Sequence, residues 1–388
     1  MRKDWEYKKL GEVVAPKNQI QRAAKCFNKT DIIKYLDISS IDNSKYQISA
    51  YTEYTLENAP SRAQQKVEIN DIIISLVRPN LKNIARIEIK DYSLVASSGF
   101  CVLRSTELID NNYLFYFISS QKYTDYLVRV TAGANYPAVK ESDIRDSLIP
   151  IPPKPTQLAI VAELDKINEL IQLKKQQLKD YDQLAQSIFY EMFGDPVENE
   201  KGWEVKKLGE VCETSSGGTP SKTHTEYYEN GTIPWLRSGE VSQGYIYDAE
   251  IYISELGLNK SSAKIFPKDT VLIAMYGATV GEVGILCNPM CTNQAICGIL
   301  PNDLYNSEFL RYVLLSHKDK YLSLASGGAQ PNISQQIIKS TLIPFIDKPL
   351  QQQFAARIEA IERQKQQVSE TIKDLETLLA SRMQYWFD

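Results

Sequence analysis

Nine residues near the start of the chain, WEYKKLGEV at Trp5–Val13, return as WEVKKLGEV at Trp203–Val211 with a single change. A repeat of that kind limits the chain to an architecture that can be built twice and joined. The matching order runs on. IKYLDIS (Ile33–Ser39) and NDIIISLV (Asn70–Val77) in the first half answer to IPWLRSGEV (Ile233–Val241) and KDTVLIAMYG (Lys268–Gly277) in the second. Alternating or continuous Ile, Val, Leu and Tyr between Gly, Asn and Pro turns predicts short strands. Asn111–Val128 and Ser307–Leu324 then read as helical, and each precedes a loop of small residues, TAGANYPAV (Thr131–Val139) and ASGGAQPNI (Ala325–Ile333). Strand-like LIPIP at Leu148 and LIPFI at Leu342 lead to KPTQ at Lys154 and KPLQ at Lys348.

Each half closes on a long helix. From Pro155 to Phe193, apolar or aromatic residues recur at Ile160, Leu164, Ile167, Ile171, Leu178, Tyr181, Ala185, Ile188 and Met192, with Lys174 in one polar slot. These alternating steps of four and three residues make a heptad seam. Gly194 and Pro196 supply its cap and stop. From Leu350 to about Phe387 the same spacing holds Phe354, Ile358, Ile361, Val368, Ile372, Leu375, Leu379 and Trp386, with Lys365 and Arg382 in polar slots. A lysine at a seam position can snorkel its charge out to water or fix the register of a coiled coil; snorkelling is the simpler reading. Helices of this length span roughly 55–60 Å and need a partner. Two in one chain, each after a globular body, pack most simply antiparallel.

The expected fold class is therefore α+β: two similar mixed α/β domains, 1–153 and 196–347, separated by two long antiparallel coiled-coil helices, 154–195 and 348–388, as an internal tandem repeat with pseudo-twofold symmetry. A chain of 388 residues with 43% apolar and 24% charged residues suits soluble globular domains. The opening MRKDWEYKK holds no apolar leader segment, and no run reaches the length of a membrane span. A cytoplasmic protein with six reduced cysteines is expected. The net charge of −4 carries no global nucleic-acid signature. Residues 1–150 hold 21 Lys and Arg against 18 Asp and Glu, and residues 196–345 hold 12 against 16. Any nucleic acid would be met by local patches.

Catalytic patterns are weak. Asp71 with Glu88 and Lys90 resembles a metal-dependent nuclease set, but only the aspartate recurs, as Asp269. Cys287, Cys291, Cys297 and His317 match no ordinary zinc spacing, and Cys297 echoes Cys101 at a strand position. His224 has no nucleophile partner at an informative spacing, GATVGEVG (Gly277–Gly284) lacks the ending of a phosphate loop, and no Asn-Pro-Pro-aromatic tetrapeptide occurs. No metal ligands are assigned.

Polar loops remain, rich in side chains that read bases and hold phosphates. In the first half these are Arg78, Asn80, Lys82, Asn83, Asn135, Tyr136 and Lys140. In the second they are Ser216, Thr219, Ser221, Lys222, Arg237, Ser238, Tyr276, Thr279, Gln330 and Asn332. For any single residue, an ordinary turn is an equally good reading.

The Trp-x-x-x-x-Leu-Gly-Glu opening in both halves, GGTPS then IPWL in the second, and a Leu-Ile-Pro strand before each long helix resemble one family. The chain is similar, over essentially its whole length, to the specificity subunit of type I restriction-modification systems. The resemblance implies two target recognition domains, each reading half of a bipartite site in double-stranded DNA. The helices would set the unread gap and dock two copies of the modification (methyltransferase) subunit, with restriction subunits as further partners. It implies a non-catalytic chain that binds no cofactor. S-adenosylmethionine, and ATP with Mg²⁺ for restriction, would belong to the partners. The first half departs from the pattern by lacking GGTPS and IPW. The rival reading is a coiled-coil adaptor that pairs two proteins without touching DNA.

Overall fold

The computed structural model describes residues 5–131, 137–326 and 331–388. The chain divides into two compact units, Met1–Lys175 with Glu370–Asp388, and Gln176–Ser369. Each holds a globular body, the foot of one long helix and the tip of the other. The helices run from Lys154 to Phe193 and from Lys348 to Phe387, 40 residues apiece. Among the described residues no helix is long and apolar enough to cross a membrane.

The repeated nonapeptide opens each body with one device. Strand Glu6–Lys9 pairs antiparallel with Leu148–Ile151, the strand that feeds the first long helix, and Val205–Lys207 pairs in the same way with Leu342–Pro344. Leu10 and Leu208 follow, both fully buried. The glycines after them sit against a short helix. A Cβ on Gly209 would lie 2.9 Å from the Lys339 side chain, and one on Gly11 would lie 3.2 Å from the Arg145 carbonyl. Close approach explains why this position is glycine twice.

In the first unit, Phe100–Leu103, Ile72–Ser75 and Ile84–Arg86 form an antiparallel sheet. In a second sheet, Ile32–Leu36 pairs antiparallel with Thr52–Thr55 and parallel with Leu94–Ser97. The other unit repeats the plan: Val271–Ala274 lies between Ile296–Ile299 and Val283–Leu286, and Ile233–Leu236 pairs antiparallel with Ile251–Ile253 and parallel with Met290–Thr292. The first half therefore does own a counterpart of IPWL. It is IKYL, with Ile33, Tyr35 and Leu36 buried where Ile233, Trp235 and Leu236 are buried. Lys34 stands for Pro234 and Tyr35 for Trp235, and the shared strand partners support the correspondence drawn from chain order.

The long helices pair antiparallel within each unit. Glu163 meets Arg382 and accepts a 3.0 Å bond from the Trp386 indole, and Lys175 meets Glu376 at 2.9 Å. In the other unit, Asp182 meets Lys365 at 2.7 Å. Partner numbers fall as helix numbers rise. Lys365 and Arg382, the polar slots of the second seam, thus make cross-helix ion pairs instead of simply snorkelling. Leu164, Ile167, Ile171, Ile358, Ile361, Val368 and Ile372 are buried along the seam, while Leu178, Tyr181, Ile188, Leu375 and Leu379 are half-buried.

Toward Phe193 the buried stripe leaves the heptad series. Ala185, Phe189 and Phe193 are buried, whereas Ile188 and Met192 are half-buried. The helix end packs on its body as well as on the other helix, which turns the covered face. Phe189 lies 5.5 Å from Phe354, 5.7 Å from Tyr312 and 6.1 Å from Phe309, ring to ring. Phe387 is the repeat counterpart of Phe193 and packs on Tyr113 at 5.5 Å and Phe117 at 5.8 Å. Phe189→Ala is expected to cost about 3–5 kcal/mol in chemical denaturation. Ile188→Ala should cost clearly less, and equal losses would refute the rotated face.

Candidate nucleic-acid interface

In each unit two loops are tied into one surface by backbone pairing. The Arg78 N–H donates to the Pro137 carbonyl (2.8 Å) and the Val139 N–H to the Leu76 carbonyl (2.8 Å). The repeat reproduces this, with Gly277 N–H to the Pro331 carbonyl (2.9 Å) and Ile333 N–H to the Met275 carbonyl (2.9 Å). Strand ends that carry Arg78 and Tyr276 are thereby fixed beside the loops that carry Lys140 and Asn332. Asn135, Tyr136 and Gln330 lie outside the described residues.

Arg78 and Lys82 both have left-handed backbones, at φ 51° and 50°, where the equivalent of Arg78 is Gly277 at φ 76°. Non-glycine residues held there store strain of order 1 kcal/mol or more, a cost met most often at functional loops. Arg78 and Asn80 are exposed and Lys82 is half-buried. Burial lowers the Lys82 pKa from its ordinary value, and the charge of Asp125 works the other way. Lys82 and Asp125 line a groove of about 1640 Å³ in this unit, together with Arg86, Lys122, Arg129 and Lys175. Asn83 is buried beneath the loop, and its carbonyl accepts the Ser75 N–H at 2.9 Å. Lys140 is exposed, with its N–H donated to the Asp143 carboxylate at 2.7 Å.

In the second unit the GGTPS segment is pinned from below. The Trp235 indole donates to the Gly218 carbonyl (2.9 Å) and the Tyr228 hydroxyl to the Pro220 carbonyl (2.6 Å). Added Cβ atoms on Gly217 and Gly218 would lie 2.2 and 2.3 Å from Thr292 and Ser262. This holds Thr219 against Gln294, leaves Ser221 and Lys222 exposed, and sets half-buried Ser216 3.4 Å from Gln335. Residues around Gln294 bind the other parts together, since Asn293 N–H donates to the Leu236 carbonyl (2.9 Å) and Met275 N–H to the Ala295 carbonyl (2.8 Å). Thr219, Arg237, Tyr276 and Asn332 therefore stand on connected backbone at one end of the sheets. Tyr276 and Asn332 line a cleft of about 280 Å³, and half-buried Thr279 bonds back to the Tyr276 carbonyl at 3.3 Å.

Arg237 follows the strand Ile233–Leu236 and pairs with Glu250. Buried Glu240 accepts the N–H groups of Arg237 (2.8 Å) and Glu250 (2.9 Å), while Ser238 starts the short helix that carries it. In the first unit the strand equivalent of Arg237 is Asp37, whose carboxylate caps Ser39 at 2.9 Å. Asp37, Glu240 and Gln294 were passed over in the sequence. The matched order of IKYLDIS and IPWLRSGEV already sets the first opposite Arg237.

The catalytic alternatives dissolve. Asp71 is buried with both oxygens on Arg104 at 2.8 Å, and Glu88 pairs with Arg86 at 2.6 Å. Among the described residues no group of His, Cys, Asp and Glu could hold a metal ion. Cys101 and Cys297 face the matching Ile74 and Ile273 in their sheets, and burial pushes both thiols up to about 12. His317 is buried, with Nδ1 2.8 Å from the Val313 carbonyl. His224 is exposed and its Nδ1 lies 2.9 Å from Glu226.

Two bodies of one topology, each ending in polar loops and each followed by a long helix, define a duplicated recognition scaffold. The profile of the type I restriction modification DNA specificity domain matches residues 2–180 and again 200–377, and the chain belongs to that family. Among curated relatives, the MjaIX specificity subunit of Methanocaldococcus jannaschii is 24% identical over 381 residues, covering 92% of this chain and 87% of its own. The HindI specificity subunit of Haemophilus influenzae is 23% identical over 402 residues, covering 84% and 86%. A solved chain from work on complex assembly and conformational transition of the type I restriction-modification system superposes with a TM-score of 0.65 at 27% identity, covering 99% of this chain and 97% of that one. Members of the family are recognition chains, and the chemistry of their systems lies in other subunits.

Arg237→Ala is expected to weaken binding of the assembled complex to its own target by about 1–3 kcal/mol in a fluorescence titration, without a shift in melting temperature. Lys222→Ala should weaken binding to all sequences alike and lower the salt slope by about one. A shared loss of sequence discrimination in both variants would contradict these assignments.

Proposed function

We propose that this chain reads a bipartite DNA target for a type I restriction-modification complex. Residues 1–153 and 196–347 act as target recognition domains, and 154–195 with 348–388 as the spacer. The reading is carried by one observation: a family-specific body followed by a long helix, present twice in one chain. Two reading heads joined by stiff helices suit two short sequences one helical turn or more apart on a duplex, roughly 34–36 Å per turn. The gap then becomes part of the specificity.

The contacts to DNA are assigned to the exposed loop residues Arg78, Asn80, Lys140, Lys222, Arg237, Tyr276 and Asn332 and to half-buried Lys82, with Arg and Asn suited to base edges and Lys to phosphates. Two modification subunits dock on the helices, bringing S-adenosylmethionine. Restriction subunits, where present, bring ATP and Mg²⁺ chemistry. The setting is the cytoplasm, where the DNA is.

Alanine at Arg78, Lys82 and Arg237 together should abolish methylation while leaving the complex assembled on size exclusion; an adaptor that does not read DNA would methylate unchanged. Adding about one helical turn to both long helices should lengthen the preferred gap and leave the half-sites unaltered. An altered base preference in a binding series of varied gaps would contradict the spacer assignment.

A further inference from the structure

The foot of each long helix carries a buried glutamine, Gln157 in KPTQ and Gln351 in KPLQ, 1% and 0% exposed. They are repeat partners, 351 − 157 = 194, and make the same three bonds. The Gln157 carbonyl oxygen accepts the Asp110 N–H at 2.8 Å, and its amide nitrogen donates to the carbonyls of Leu108 (3.3 Å) and Pro152 (3.0 Å). The Gln351 carbonyl oxygen accepts the Asn306 N–H at 2.8 Å, and its amide nitrogen donates to the carbonyls of Leu304 (3.1 Å) and Ile346 (2.7 Å).

The groups joined are distinct parts of the body. Pro152 and Ile346 lie just past the strands that feed the helices, while Asp110 and Asn306 cap the body helices Asn111–Ser119 and Ser307–Ser316. One side chain therefore fixes the helix foot against both. The apolar contacts at each foot come from Ile160, Val161 and Leu164 or Phe354 and Ile358, and further polar ones, Tyr116 to Asp165 at 2.6 Å and Lys348 to the Asp303 carbonyl at 2.6 Å, are partly or fully solvated. Apolar contact is non-directional, whereas three hydrogen bonds from one planar amide fix an angle.

We propose that Gln157 and Gln351 are positioning residues that set the direction in which each long helix leaves its body, and through it the tolerated gap between half-sites. The inference rests on the recognition reading above. A lever argument gives the scale. At 40 residues each helix is about 60 Å long, so a tilt of about 5° at its foot moves its tip by about 5 Å, more than the roughly 3.4 Å rise of one base pair.

The test uses the full chain assembled with its modification subunit. Methylation rates are compared on duplexes carrying the chain's own half-sites at the natural gap and at gaps one base pair shorter or longer. Wild type should reject the altered gaps by about tenfold or more. Gln157→Met and Gln351→Met, of similar length without the hydrogen bonds, should each cut that rejection at least fivefold while the half-sites stay the same. Gln157→Glu keeps the acceptor and loses the donor, and should fall between. Val102→Ala, a buried position away from the helix foot, should keep wild-type gap selectivity at lower stability. Slower methylation at every gap with unchanged gap selectivity in folded glutamine variants would overturn the inference. A wild-type complex indifferent to both gap and half-sites would overturn the recognition reading instead.

Discussion

A helix of 40 residues with one apolar stripe cannot stand alone in water, and the second helix of the same chain supplies the surface that covers it. Each fully buried Leu or Ile on that seam contributes about 1.5–3 kcal/mol, so the apolar set decides that the helices pair. Direction and register are a separate matter. Ion pairs in partial solvent contribute less than a buried aliphatic side chain, but they penalise the wrong alignment. Lys365 with Asp182 and Arg382 with Glu163 serve that purpose, and the hydrogen bonds from Arg382 hold the Glu163 carboxyl below its usual pKa.

The bodies show how a frame can stay constant while its reading surface changes. Both use the close-packed glycine of Leu-Gly-Glu, both feed the long helix from a paired strand, and both join the same two loops by backbone bonds. Within that frame Asp37 stands where Arg237 does, and Arg78 takes the strained backbone that Gly277 takes easily. Side chains on loops fixed by backbone pairing can be exchanged without disturbing the sheets, a useful property where two different sequences are to be read.

Much of this was legible from residues alone, for identifiable reasons. The repeat, the strand order and the two helices follow from local periodicity and capping, which need no knowledge of distant partners. What escaped depends on long-range packing. The covered face turns to Phe189 because the helix end meets Phe309 of the body, 309 − 189 = 120 residues away in sequence. IKYL and IPWL match in chain order and share only Ile and Leu, and it is their common strand pairing that shows them to be one element. Asn83 has the chemistry of an adenine reader but lies under its own loop, and exposure is set by the neighbouring turns. In the sequence Gln157 and Gln351 are only the last residues of KPTQ and KPLQ. Their role appears only once the Asp110 and Asn306 N–H groups are seen beside them.

The most direct measurement of the central claim is single-molecule methylome sequencing of cells that express this chain with its modification subunit. The account predicts one split motif, two unlike half-sites across a gap of fixed length, with one modified adenine in each. A continuous motif, or half-sites joined by gaps of any length, would contradict it.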